Sequence, residues 1–171
     1  SITVDQILEQ KYPDIEKNIL DGYVSISNGS PGYAVSLIEH EGLTLYSEML
    51  NLLSTMPDIN VPLSHDFANA ITTKKSGDRF LLFSEMLSQF INRMIRHVSY
   101  LNTDHTHRMA PALNGEFELM EQMGAIIALD QWAELWEKIS QKIITTNLLN
   151  MDKKQTVIDI LNMINSSLRV K

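Results

Sequence analysis

Apolar residues recur every three or four positions along most of this chain, and no stretch of four to eight residues alternates between turn signals in the manner of a strand. The strongest periodic stretch covers residues 78–101. There Phe83, Met86, Leu87, Phe90, Ile91, Met94, Ile95 and Val98 form a wide apolar stripe. Ser84, Glu85, Ser88, Gln89, Asn92, Arg93 and Arg96 make up the wet face of the same helix. Two further amphipathic helices are predicted over residues 130–146 and 152–168. The first carries Trp132, Leu135, Trp136, Ile139 and Ile143, with Glu134 and Lys138 as a favourable pair four apart. The second carries Val157, Ile158, Leu161, Ile164 and Leu168.

Start and stop signals divide the rest. Thr3-Val4-Asp5-Gln6 has the form of a capping box, which predicts a short helix to about residue 10. Pro13 suits a first helical position, with Ile15, Ile19, Leu20, Tyr23 and Ile26 following until Asn28-Gly29 stops the helix. Ser30 reads as an N-cap and Pro31 as the next first position, opening a helix to about residue 40. Gly42 separates that helix from one over 43–55, lined by Leu45, Met49, Leu52 and Leu53, and Met56-Pro57-Asp58 breaks the chain. Ser64 is read as the cap of a helix to about residue 74, closed by Ser76-Gly77. Residues 102–115 lose the pattern and read as a polar loop, before a short helix over 116–128. The predicted class is all-α, a helical bundle.

Composition agrees with that class. The chain has 171 residues, enough for one domain or one domain plus a fragment of another. Leu, Ile and Met supply the apolar content while aromatics make up only 7%, which favours helix. The formal charge of −7, without a dense basic run, argues against an autonomous DNA-binding module. The absence of cysteine excludes disulfides, thiol nucleophiles and Cys-ligated zinc. No apolar run approaches the roughly 20 residues of a membrane helix. Residues 1–5 show neither the basic nor the apolar region of a signal peptide, so a cytoplasmic location is expected. The chain opens at Ser1 rather than Met and is read as a piece of a longer protein.

Little in the chain carries chemistry. There is no phosphate-binding loop, no dinucleotide glycine fingerprint and no nucleophile elbow. Asp104-His105-Thr106-His107 sets two imidazoles beside a carboxylate, but a metal site wants further ligands, and a solvated loop is the better reading. His97 is read as a boundary residue. Glu116, Glu118 and Glu121 are read as a solvated acidic face at a helix N-terminus. Trp132 and Trp136 share a helix face, as core or as anchors for a partner. Met56, Met109, Met120, Met123 and Met151 indicate adaptable packing, not a cofactor. The segment from Asn28 to Ala34 is a helix stop and restart, or else a helix N-terminus that faces a phosphate. No metal, cofactor or catalytic residue is expected.

The turn Gly29-Ser30-Pro31-Gly32, with Ala34, Leu37 and then Gly42-Leu43-x-Leu45-Tyr46, resembles the delta-prime subunit family of the bacterial DNA polymerase III clamp loader. Trp132-x-x-x-Trp136-Glu137-Lys138-Ile139 and the segment from Asn150 to Gln155 resemble that family's closing helices, so the resemblance covers nearly the whole chain. It implies that residues 1–41 are the last part of a helical lid domain and residues 42–171 a helical collar that joins the loader pentamer. It implies the tau/gamma and delta subunits as partners, with only indirect association with DNA and the sliding clamp. No membrane and no small-molecule substrate are implied. In related loader subunits an arginine follows the lid-helix glycine and senses ATP; Gly32 stands at the comparable place here, so the turn is at most weakly sensor-like. The ATPase module would lie outside this chain, which would itself be non-catalytic. Phe90, Met94, Trp132 and Trp136 are the expected interface residues. The competing expectation is an unrelated all-helical adaptor that binds a partner through apolar helix faces, with Trp132 and Trp136 as anchors.

Overall fold

A computed structural model describes residues 2–73, 79–103 and 109–169. Within them lie nine α-helices and no strand: α1 (Val4–Lys11), α2 (Lys17–Ser27), α3 (Pro31–Glu39), α4 (Gly42–Leu53), α5 (Val61–Thr72), α6 (Arg79–Leu101), α7 (Glu116–Ile126), α8 (Leu129–Leu148) and α9 (Lys153–Ser167). The all-α expectation holds.

Local signals set most of the boundaries. Thr3 caps α1, its hydroxyl accepting from the Gln6 N–H at 3.4 Å while the Gln6 side chain accepts from the Thr3 N–H at 3.1 Å. Asn28 and Gly29 close α2 with left-handed φ values of 50° and 80°. Ser30 then caps α3, with Pro31 at its first position. Asp152 caps α9 by accepting from Gln155 N–H at 3.0 Å.

Three signals were misread. Pro13 sits in a turn and not at a helix start, and α2 begins only at Lys17, after a cap residue (Glu16) that offers no side-chain bond. The cap of α5 is Asn60, which accepts from Leu63 N–H at 2.9 Å, with Pro62 in the first turn. Ser64 lies inside that helix, buried, and donates back to Val61 O at 2.7 Å. Gly42 belongs to α4 as its first residue, because Glu41 takes the left-handed conformation (φ 54°) and turns the chain before it. A Cβ at Gly42 would stand 2.6 Å from Leu37 Cδ2 and 2.9 Å from Leu37 O, so only glycine admits this close a junction of α3 and α4.

Two groups of helices stack together. In the second half, α5 packs on α9, α9 on α8, α8 on α6 and α6 on α5, which is the cyclic order of a four-helix bundle. In the first half, α1, α2, α3 and α4 pack on one another. The halves meet where α2 contacts α6 and α4 contacts α5, and α7 lies along α6. One apolar core runs through both, from Leu8 to Leu168. Polar fasteners sit inside it. Asn165 of α9 accepts from Ile59 N–H at 3.1 Å ahead of α5, and the Thr146 and Thr156 hydroxyls meet at 2.9 Å between α8 and α9.

Gly42→Ala should destabilise the chain by about 1–3 kcal/mol, the usual cost of forcing atoms into a filled site. Gly32→Ala, near the start of α3 with nothing within 4 Å of the added carbon, should be neutral or stabilise by about 0.4–1 kcal/mol. Thermal unfolding of the two variants followed by circular dichroism checks the contrast, and equal losses would refute it.

Candidate functional site

The most polar interior point lies where the two halves meet. Arg93 projects from α6, Glu116 from the first position of α7 and Tyr46 from α4. Glu116 Oε1 accepts from Tyr46 OH at 2.5 Å and from Arg93 Nε at 3.0 Å. Oε2 accepts from Arg93 Nη2 at 2.8 Å and from Ala112 N–H at 2.7 Å. The guanidinium also donates to Ser25 O of α2 and to Ala110 O, each at 2.9 Å. One forked, charge-assisted pair therefore ties α2, α4, α6, α7 and the segment before α7 together.

The expected wet face and acidic face hold at Glu85, Asn92, Arg96, Glu118 and Glu121, which are exposed, and are corrected at three positions. Arg93 is 4% exposed and Glu116 is fully buried, because the two neutralise one another and share their remaining bonds with backbone groups. Ser84 is buried too, since its hydroxyl returns to Phe80 O at 2.9 Å within α6. Burial, with the Glu116 carboxylate close by, pushes the Tyr46 phenol well above its ordinary pKa. Burial alone would lower the Arg93 pKa, but the hydrogen bonds and charge of Glu116 outweigh it and raise it. Both groups therefore keep their protons over the neutral range. The cluster is a rivet: all three side chains are closed in, and the grooves described below are lined by none of them.

The other sequence-predicted positions fall as follows. Gly29, Ser30, Pro31 and Gly32 are exposed at the start of α3, where the Ser30 hydroxyl already accepts from Tyr33 N–H at 3.3 Å. Arg96 donates to the Asn28 side chain beside this turn at 3.4 Å. His97 sits on the rim of α6, hydrogen-bonded to Glu121 at 2.8 Å and stacked on Phe117 with ring centroids 4.0 Å apart. Asp104, His105, Thr106 and His107 lie outside the described residues. Among those described, no group of three or more His, Asp or Glu is arranged to hold a metal ion.

Phe90, Met94 and Trp132 are wholly interior, with Trp132 Nε1 donating to Met123 O at 3.3 Å; Trp136 is half-buried against the same core. The apolar stripe of α6 is wide because that helix is covered by α2, α5, α7 and α8, and so it is spent inside the chain. The first three cannot touch a partner while the domain is folded.

Apolar surface is instead left over at the corner joining α8 to α9. Ile144 (50% exposed) and Leu148 (78%) stand one turn apart on α8, followed by Leu149 (69%) and Met151 (48%). Asn150, at φ 48°, reverses the chain there, and Met151 N–H donates to Thr146 O at 2.9 Å. Lys138, Lys142 and Met151 line a shallow groove beside this corner. A second groove, of about 290 Å³, runs between α4 and α5, floored by Leu63, Phe67 and Ala70 and rimmed by Glu48, Asn51 and Asp66. Sequence reading missed both, because exposure of single residues at a helix end leaves no periodic trace.

No family model, no curated protein and no solved structure matches this chain.

Glu116→Ala should cost about 3–5 kcal/mol, since it strands a buried guanidinium. The double change Arg93→Met with Glu116→Leu should recover most of that loss, as read from urea midpoints; a double variant weaker than the single one would contradict the rivet. Phe90→Glu and Met94→Glu should each abolish the cooperative thermal transition of the isolated chain, and folded variants would contradict their interior placement.

Proposed function

We propose that this chain is a non-catalytic scaffold that packs against other protein subunits, as the lid end and collar of a clamp-loader delta-prime-type subunit. The observation that carries the scaffold reading is the solvent-facing corner where Ile144, Leu148, Leu149 and Met151 lie together. Exposed aliphatics of this size that lie together are what a docking surface provides. The clamp-loader assignment is supported by the order of the motifs around Gly29–Gly32, Gly42–Tyr46, Trp132–Ile139 and Asn150–Gln155. The proposed division at residues 41 and 42 would fall at the Glu41–Gly42 turn, inside the first group of helices, since α4 packs on α2 and α3.

In this reading the tau/gamma and delta subunits are the partners, the complex acts on primed DNA and the sliding clamp in the cytoplasm, and no cofactor or catalytic residue belongs to this chain. Among the described residues no helix is long and apolar enough to cross a membrane. An unrelated adaptor anchored by Trp132 and Trp136 is disfavoured, because Trp132 has no exposed surface to offer.

Co-purification with tau/gamma and delta subunits tests the assignment. The wild-type chain should be retained, and Leu148→Glu should lower retention at least tenfold, about 1.4 kcal/mol, while leaving the helical circular dichroism unchanged. A wild-type chain that recovers neither subunit refutes the clamp-loader reading.

A further inference from the structure

The α4–α5 groove and the α8–α9 corner carry opposite charge. From Gly42 to Thr73 there is no Lys or Arg, while Glu48, Asp58 and Asp66 are present. From Lys138 to Lys154 there are four lysines and one carboxylate, Asp152, in a chain whose net charge is −7. Glu48 and Asp66 make no ion pair among the described residues, and neither do Lys138 and Lys154. Of these four lysines, Lys142 pairs with Asp159 at 3.0 Å and Lys153 lies over the Phe80 ring, 5.5 Å from its centroid, which leaves Lys138 and Lys154 to meet a partner.

Shape matches charge. The corner is a convex aliphatic projection, with Leu148 its most exposed side chain, flanked by lysines. The groove is concave, with an apolar floor of Leu63, Phe67 and Ala70 and carboxylates at its rim. Leucine on the floor with ammonium groups at the rim satisfies both surfaces at once. The cyclic order α5–α9–α8–α6 sets α8 diagonally across the bundle from α5, and α4 packs on α5. A chain therefore cannot bring its own corner to its own groove.

We infer that the α4–α5 groove receives the α8–α9 corner of a second copy of this chain, in a head-to-tail contact. Such a contact is heterologous: each copy keeps one free groove and one free corner, and assembly continues unless a rotation closes it into a ring. The inference rests on the reading of the corner as a docking surface, and it adds a partner to that reading.

Sedimentation over a range from micromolar to millimolar chain tests it, with two variants whose changes lie on exposed residues. Ile144→Glu with Leu148→Glu removes the projection; Glu48→Lys with Asp66→Lys reverses the rim. The wild type should grow beyond its 19.5 kDa mass as concentration rises, and less so in high salt. Each variant alone should stay at the monomer mass with its helical signal intact. Their equimolar mixture should stop at about twice the chain mass, because one good groove and one good corner remain between them. A wild type that stays monomeric, a single variant that still assembles, or a mixture that does not pair overturns the inference. The same wild-type sample is offered to the tau/gamma and delta subunits. A monomer that captures them fails only this inference, and self-association without capture fails only the clamp-loader assignment.

Discussion

A single buried ion pair governs how the two halves of this chain sit together. Arg93 and Glu116 come from helices α6 and α7, yet their remaining bonds reach Tyr46 of α4 and Ser25 of α2. Apolar contacts favour burial without dictating angle or register. A planar guanidinium locked to a carboxylate and two backbone carbonyls does dictate them, since each bond is directional and an unmade one inside the core is costly. Most of the rest of the interior is Leu, Ile, Met and Phe, which can be packed in many ways. This knot selects among those ways. Stability against a purely apolar replacement is a separate matter, because the desolvation cost of such a pair offsets much of its attraction.

Helix periodicity and caps were legible in the sequence because they depend on neighbours within four residues. Thr3 and Ser30 cap as written, and α6 runs over nearly the stretch its stripe marks out. Pro13 and Ser64 depart from the sequence signal in different ways. Each has cap-like or start-like chemistry at a place where the helix does not begin: Asn60 caps α5 ahead of Ser64, and α2 starts after Glu16, which offers no side-chain bond, leaving Pro13 in the turn before it. What could not be read was partnership between distant residues. On its helix Arg93 belongs with the polar positions, and only the arrival of Glu116, 23 residues on, turns it inward. Glu116 likewise looks like an ordinary first-turn carboxylate until the guanidinium and the Ala112 N–H converge on it.

Three of the four expected interface residues, Phe90, Met94 and Trp132, lie in the interior for a related reason, while Trp136 is half-buried. A wide apolar stripe on a helix says how much surface wants cover and not who supplies it. Four helices of the same chain supply it for α6, so Phe90 and Met94 are used up internally. The surface left for others lies at a helix terminus. Leu148 and Leu149 fall where helical periodicity is ending, and the pattern there carries little weight.

The bundle closes through partners far apart along the chain. α5 is laid against α9 with α6, α7 and α8 intervening, and the Asn165 side chain that satisfies the Ile59 N–H belongs to α9. During synthesis, then, the stretch from Val61 onward emerges long before the surface meant to cover it. Until α9 clears the ribosome, Phe67 and Ile71 have no finished shelter, and closing so long a loop is slow relative to pairing adjacent helices. The helix order thus makes the interval before α9 is available the one in which apolar surface on α5 is least covered, and with it the interval most exposed to misassembly.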